Sequence, residues 1–325
     1  MEKVVVAITT YNLDRYIAQA LESILMQKTS FPFRIFVADD CSKDDTLSIL
    51  YDYERKYPDI VKVFPSETNL GSLANSNRLF DGLDAEYFSF LDGDDYWLDE
   101  HRLQKQVDFL DSHPEFSMCG ANTYLLKEGV PNVKMIADNA VNQSYSFEDF
   151  AKGHMPYIHT SSILLRNTVF INGLPDVFYR SVGTFEECAL RGEDFRRILH
   201  LQHGPIFVMG DCFSVYRIHP KGIWQGSSTM KKQIEGAISN SFLGKYFDGS
   251  YAEVFQKNSE QSFHRLISSV LFGNIEGNLL SNEEAELMGK YFIDYFTSQN
   301  LPSRNLPWYK KLYIRFLRRL VGLVC

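Results

Sequence analysis

The 325-residue chain holds little cysteine and uses it singly: Cys41, Cys119, Cys188, Cys212 and Cys325 are odd in number and widely spaced, with no C-x-x-C pair. That spacing argues against a disulfide framework or a zinc ribbon and predicts buried, reduced thiols in a cytosolic protein. Uninterrupted apolar windows of about 18 residues are lacking, so no membrane-spanning helix is expected. The first residues run directly into Val4-Val5-Val6-Ala7-Ile8 behind a single lysine, with no small-residue cleavage site. A first strand is expected there and a signal peptide is not. Positive charge is in deficit as well. A formal net charge of −8 argues against a nucleic-acid partner, whose phosphates require a basic surface.

What the chain does contain is core-forming material. Apolar residues make up 45 % and aromatics 14 %, enough for one large domain or two ordinary ones. Val4–Ile8, Arg34–Ala38, Val61–Phe64 and Tyr87–Leu91 are short apolar runs of the kind buried on both faces of a sheet. Between them, apolar residues fall at helical spacing. The first helix is expected from Leu13 through Ile17, Leu21, Ile24 and Leu25, with Asn12 as N-cap. The second follows a capping box at Ser42 and Asp45 and is closed by Pro58, and the third runs through Leu73, Asn77 and Phe80. Strands alternating with helices predict βαβ units and a mostly parallel sheet flanked by helices.

The fourth strand ends in Asp92-Gly93-Asp94-Asp95. Three carboxylates delivered to one point repel one another unless a hard cation sits there. The plain alternative is a solvated acidic turn; placement at the carboxyl end of a strand in an α/β chain, where open sheets bind ligands, favours the metal site.

Further along, a helix is expected from Asp99-Glu100 through Leu103, Val107 and Leu110, and a strand at Phe116–Ala121. Residues 127–145 lose periodicity and read as a mobile excursion. Ser146 and Asp149 form a second capping-box pattern. His159–Arg166 reads as a strand, Phe195, Ile198 and Leu199 as one helix face opened by Glu193 and Asp194, and Pro205–Met209 and Phe213–Arg217 as two closing strands. Beyond about residue 228 the pattern is helical. Residues 303–325 carry six basic residues and no acid, so within the total of −8 this tail is +6 and residues 1–302 are −14. Its apolar face (Tyr309, Leu312, Tyr313, Phe316, Leu317, Leu320, Val324) opposes a basic one, the pattern of an interfacial amphipathic helix; an ordinary docking helix with a solvated basic face is the alternative.

Taken together these motifs resemble family-2 glycosyltransferases of the GT-A (Rossmann-like) fold. The similarity is carried by Thr9-Thr-Tyr-Asn12, Ala38-Asp-Asp-Cys-Ser-Lys-Asp-Asp-Thr46, Asn69-Leu-Gly71 with Asn75 and Asn77, Asp92-Gly-Asp-Asp95, Glu193-Asp194 and Tyr216-Arg-Ile-His219, and it covers about residues 1–222. It departs at Cys41, where Asn or Gly is commoner, and in the long 122–158 segment. The resemblance implies a catalytic domain at 1–227, with a nucleotide-sugar half at about 1–122 and an acceptor half at about 123–227. A helical region at 228–325 would follow. It implies that Thr9, Tyr11, Asp40 and Asn69 hold the nucleoside of a UDP-sugar and that Asp92 reaches the ribose or the water shell of a metal. Asp94 would be the first ligand of Mn²⁺ or Mg²⁺ and His219 a further one, with Asp194 as general base and Glu193 holding the acceptor hydroxyl or Asp194 itself. The acceptor implied is a glycan or a lipid-linked sugar in bacterial cell-surface polysaccharide synthesis. The protein is expected in the cytoplasm, peripheral on the inner membrane face through residues 306–325.

Three competitors remain beside this reading. A non-catalytic nucleotide-sugar-binding module predicts a broken metal or base position, and both stand intact. A nucleotidylyltransferase requires a Gly-rich basic loop after the first strand, which Thr9-Thr-Tyr-Asn-Leu13 lacks. A polyisoprenyl-phosphate glycosyltransferase stays compatible through the amphipathic tail.

Overall fold

A computed structural model describes residues 2–80, 83–127, 130–219, 222, 226–272 and 281–298. The chain divides into two units, Met1–Val182 with Leu190–Gly222, and Gly183–Ala189 with Ile223–Cys325. In the first unit, β1 (Glu2–Thr10) pairs in parallel with β2 (Phe33–Asp39) on one side and β4 (Ala85–Asp92) on the other. Buried β-branched residues suit β1 to its interior place in the sheet. Val4, Val6, Ile8, Ile35 and Val37 share one core with Ile17, Ala20, Leu21 and Ile24 of α1 (Ile17–Leu25). The described strands run β3 (Val61–Pro65), β2, β1, β4, β9 (Leu164–Arg166), β6 (Met118–Lys127), β10 (Ile206–Ile218), β5 (Tyr96–Trp97). The long ladders are parallel: β1–β2, β1–β4, β2–β3 and β6–β10. Short β9 runs antiparallel to both β4 and β6, so β4, β6 and β10 point the same way. The carboxyl ends of β1, β2, β4 and β10 therefore share one edge of the sheet.

Several local expectations are corrected. The first helix begins at Ile17, not Leu13. Asn12 takes φ 55° and so cannot cap a helix; its Oδ1 accepts from the Lys43 N–H at 2.7 Å, tying the β1 and β2 exits together. The Ser42–Asp45 capping box is absent, because Ser42 donates both its N–H and its hydroxyl back to Asp39 and α2 (Thr46–Lys56) has no side-chain cap. The capping box at Ser146 and Asp149 is present at α5 (Phe147–Ala151).

The described residues of the 127–145 segment extend the sheet. β6 reaches Lys127, β7 (Val130–Lys134) pairs with it antiparallel, and β8 (Gln143–Tyr145) pairs with β10. The buried Asn122 amide donates to the Ile136 carbonyl and accepts from the Ile136 N–H, substituting for ladder bonds that periodicity would have signalled. The two closing strands are one, β10, with a register shift between Val208 and Ser214 that the sequence break at Gly210 mimics. Of the expected 159–166 strand only Leu164–Arg166 pairs as a strand, and Thr160–Ser162 forms a 3-10 turn between the extended His159 and Ile163.

The second unit contains α9 (Thr229–Tyr246), α10 (Gly249–Phe272) and α11 (Asn282–Ser298), gathered on Ile234, Ile238, Phe263, Leu266, Met288, Tyr291 and Phe292. No described helix is long and apolar enough to cross a membrane. The amphipathic tail of residues 303–325 lies outside the described residues.

Candidate functional site

The acidic turn sits where β4 leaves the sheet, with Asp92 in register with Thr9 of β1. Gly93 follows close against β1: its N–H donates to the Thr9 carbonyl at 3.2 Å, and a Cβ here would lie 3.0 Å from Leu13 Cδ1 and 3.2 Å from Thr9 O. Only glycine passes freely. Asp95 N–H donates to Asp92 O at 2.9 Å, closing the turn, and β5 then runs antiparallel to β10. That pairing places the turn beside the residues leaving β10.

Arg217 and His219 hold it there. The Arg217 N–H donates to Asp95 Oδ1 at 2.9 Å and its Nε to the Asp94 carbonyl at 2.8 Å. The guanidinium lies over the rings of Tyr16 and Tyr96. His219 Nε2 is 2.9 Å from Asp94 Oδ2. Asp95 is fully buried, and its Oδ2 has no hydrogen-bond partner. Burial, then the charges of Asp94 and Asp92, pushes its carboxyl well above the ordinary carboxylate range. Asp92, Asp95 and His159 each bring one donor atom within 4.8 Å of the others, and His159 Nε2 lies 3.8 Å from Asp95 Oδ2.

These residues fit a hard divalent cation. Three carboxylates share one turn, and one of them presents a buried oxygen with no bond to satisfy it. Two ligands at right angles, each about 2.1 Å from an octahedral ion, stand about 3 Å apart, which is the spacing of Asp94 Oδ2 and His219 Nε2.

Of the residues expected to hold the nucleoside, Thr9 is the last but one of β1 and Tyr11 is exposed just beyond the strand. Asp40 and Asn69 are brought together, but on each other's loops. Asp40 accepts from the Leu70 N–H at 2.6 Å and the Gly71 N–H at 3.0 Å, while Asn69 Nδ2 donates to the Asp40 carbonyl at 3.2 Å. The buried carboxylate thus fixes the 69–71 loop over the β2 exit. Cys41 takes φ 63°, a left-handed position that Asn or Gly occupies at lower cost. A cavity of about 310 Å³ lined by Asn12, Asp14, Arg15, Lys43 and Asp44 opens at the same strand ends.

Asp194, expected as the base, lies in the first turn of α8 (Glu193–Leu201), exposed, and ion-pairs with Arg197. Arg197 donates to the Ile158 carbonyl at 2.7 Å, and its guanidinium sits 5.8 Å from the Tyr157 ring. Asp194 is thereby tied to the segment carrying His159. The Glu193 side chain lies outside the described residues. His159 and Arg217 were missed as site residues by the sequence reading. Arg217 stood within the quoted Tyr216-Arg-Ile-His219 motif, and for His159 the available signal was a polar start to a short apolar run.

An open α/β sheet with an acidic turn, two histidines and an exposed carboxylate at its carboxyl edge has the layout of the ligand-binding α/β proteins. Comparison with known proteins makes this specific: the sequence model of glycosyl transferase family 2 matches residues 5–173, and the chain belongs to that family. An uncharacterized protein of Mycobacterium tuberculosis is 29 % identical over 227 residues, which is 69 % of this chain and 61 % of that protein. The chain thus spans less than two thirds of that relative's length. The poly(ribitol-phosphate) beta-N-acetylglucosaminyltransferase TarS of Staphylococcus aureus is 33 % identical over 149 residues, 42 % of this chain and 25 % of TarS. In structure, TarS 1-349 in complex with UDP-GlcNAc superposes with a TM-score of 0.60 at 18 % identity, covering 89 % of this chain and 80 % of that one. The mannosyltransferase PcManGT of Pyrobaculum calidifontis, in complex with GDP-Man and Mn²⁺, gives 0.51 at 12 % identity over 98 % and 85 %. The fold is GT-A.

Proposed function

We propose that the protein is an inverting glycosyltransferase that moves a sugar from a UDP-sugar to a hydroxyl of a glycan or lipid-linked acceptor in bacterial cell-surface polysaccharide synthesis. The observation that carries the proposal is the meeting of Asp94 and His219 at 2.9 Å, just past strands far apart in sequence, on the edge that also carries Thr9, Tyr11 and Asp92. UDP-GlcNAc on TarS and Mn²⁺ on PcManGT support a nucleotide-sugar donor and a divalent ion for this chain. Asp94, His219 and Asp92 would hold Mn²⁺ or Mg²⁺, which supplies neutralisation of the charge that builds on the departing diphosphate.

The chain's own groups do the rest. Thr9 and Tyr11 line the base at the β1 exit, and Asp40 keeps the 69–71 loop in place around it. Arg217 fixes the acidic turn from the β10 side. Asp194, exposed and oriented by Arg197, takes the proton of the acceptor hydroxyl as it attacks the anomeric carbon. A single base implies one direct displacement and hence inversion, whereas retention would need a second carboxylate as nucleophile. Glu193 would hold an acceptor hydroxyl or Asp194. The domains implied are a catalytic part at 1–227 and a helical part at 228–325. The protein would work on the cytoplasmic face of the membrane, a location that also suits a polyisoprenyl-phosphate acceptor.

A panel of nucleotide-sugars, each with and without Mn²⁺, tests this by thermal stabilisation, since a ligand that binds only the native state raises the melting temperature. A UDP-sugar should stabilise wild type only with the metal, and Asp94→Ala should abolish that dependence together with transfer. Full activity of wild type in EDTA would refute the metal assignment.

A further inference from the structure

Tyr157 is 50 % exposed. A single aromatic ring at the surface is ordinary, and what sets this one apart is the side chain that holds it. Arg197 is almost wholly buried, with 4 % of its side chain accessible, and it reaches three groups at once. Its Nη1 donates to the Ile158 carbonyl at 2.7 Å, its Nη2 pairs with Asp194, and its guanidinium carbon stands 5.8 Å from the centre of the Tyr157 ring. The Ile158 bond holds the backbone directly after Tyr157, so one buried guanidinium fixes both the ring and the candidate base. Asp194 meanwhile keeps 61 % of its side chain in solvent. The Tyr157 ring also meets His159 edge to face at 6.3 Å, and His159 lies 4.6 Å from Tyr216. His159 Nε2 is 3.8 Å from Asp95 Oδ2, so this aromatic row runs from beside Asp194 to the acidic turn.

An exposed aromatic ring beside an exposed carboxylate matches the two kinds of surface that a pyranose presents. One face of such a sugar is a patch of C–H bonds, left slightly positive by the neighbouring oxygens, and it settles on the negative face of an aromatic ring. The hydroxyls radiate from the edge, where a carboxylate accepts from them in charge-assisted hydrogen bonds. An open-chain polyol phosphate offers no flat patch, and ordering its rotatable bonds on a rigid platform costs entropy. Nor does Arg197 draw a phosphate there, because it is buried and already paired with Asp194. We propose that Tyr157 is the platform for a pyranose ring of the acceptor, which presents its attacking hydroxyl to Asp194, so that the acceptor ends in a cyclic sugar. This deepens the glycosyl-transfer reading given above and rests on it.

Binding of methyl pyranosides to the full chain tests it. Saturation-transfer NMR, run with UDP and Mg²⁺ present, takes the methyl glycosides of glucose, galactose, N-acetylglucosamine, mannose and rhamnose as probes, with ribitol 5-phosphate as the open-chain control. At least one pyranoside should bind wild type. Tyr157→Phe keeps the aromatic face and should bind it within about twofold of wild type. Tyr157→Leu keeps apolar bulk without the face, so its affinity should fall about fivefold to tenfold, the loss expected for a stacked ring. The rise in melting temperature with UDP and Mg²⁺ should be the same in all three proteins. A Leu variant equal to wild type, a Phe variant as weak as the Leu variant, or wild type that binds no pyranoside, with or without binding of ribitol 5-phosphate, would each overturn the proposal. Should the Leu variant not melt cooperatively, Tyr157→Ala supplies the same comparison. If UDP with Mg²⁺ leaves the melting temperature of wild type unchanged, the donor reading falls instead, and the pyranoside comparison still decides the role of Tyr157.

Discussion

His200 makes acid stability a quantitative test of the core that supports α8. Its side chain is fully buried between the rings of Phe88 and Phe170, its Nδ1–H donates to the Arg196 carbonyl at 2.7 Å, and its Nε2 has no partner. A second proton would have to sit on the buried Nε2, and burial outweighs the hydrogen bonds of the Arg196 and Arg166 backbones, lowering the pKa from 6.5 to about 4. The unfolded chain takes up this proton first as pH falls. The group's contribution is therefore fully present above about pH 6.5 and is lost as pH falls from there to about 4. At about 1.4 kcal/mol per pH unit the whole loss is roughly 3 kcal/mol, of which roughly 2 is gone by about pH 5. His200→Leu keeps the bulk and removes the titration. Between about pH 7.5 and 5 the gap in melting temperature between wild type and variant should narrow by roughly 4–8 °C, taking about 2–4 °C per kcal/mol for a unit of this size. Asp95 works in the opposite direction, since its raised pKa makes its carboxylate cost stability as pH rises, but it is common to both proteins and cancels in the difference. Circular dichroism melts across that range are sufficient. Stability curves that run parallel would refute the reasoning and place water or a partner on Nε2.

Replacing the candidate base, Asp194→Asn, should leave donor binding nearly intact and cut transfer by about two to four orders of magnitude, measured as kcat against the donor's Kd; turnover near wild type would reduce Asp194 to a helix-start acid paired with Arg197. For the tail, full-length protein should sediment with anionic liposomes, less so in added salt, at about 1 kcal/mol per basic residue near the surface. Truncation after about Asn305 should release it while donor hydrolysis persists; equal partitioning of both forms would return the segment to an ordinary docking helix.

The parallel half of the sheet was legible because Val4–Ile8, Arg34–Ala38 and Tyr87–Leu91 are buried on both faces, and burial on both faces writes itself as an unbroken apolar run. Where a side chain takes over from the backbone, that record fails. Asn12 reads as a helix cap from its type alone, yet it turns left-handed to bond Lys43, a partner 31 residues away. Asn122 holds the backbone at Ile136 with its own amide, so the described residues of 127–145 join the sheet without apolar alternation. The bulge in β10 looks like a turn for the related reason that Gly210 and Asp211 favour both.

The site divides along the same line. Asp92, Asp94 and Asp95 could be found because self-repulsion between near neighbours is a property of the sequence itself, whereas the division of duties among them is set by contacts that span most of the unit. A chain of such contacts reaches the turn from behind. Arg102 is fully buried, has no carboxylate partner among the described residues, and is pushed well below its ordinary pKa by desolvation. Its guanidinium lies 3.7 Å over the Trp97 ring and donates to Ser89 Oγ and Gln106 Oε1. Trp97 Nε1 in turn donates to the Ser161 carbonyl at 2.9 Å, and Ser161 sets the His159 ring. A cation buried without a counter-charge costs stability, and no surface role repays it. Its position explains the cost: it locks β5, the segment directly after the acidic turn, to the 3-10 turn next to His159, which stands beside Asp95. Rigidity under a cluster of carboxylates is what lets them hold their geometry whether or not a cation is bound.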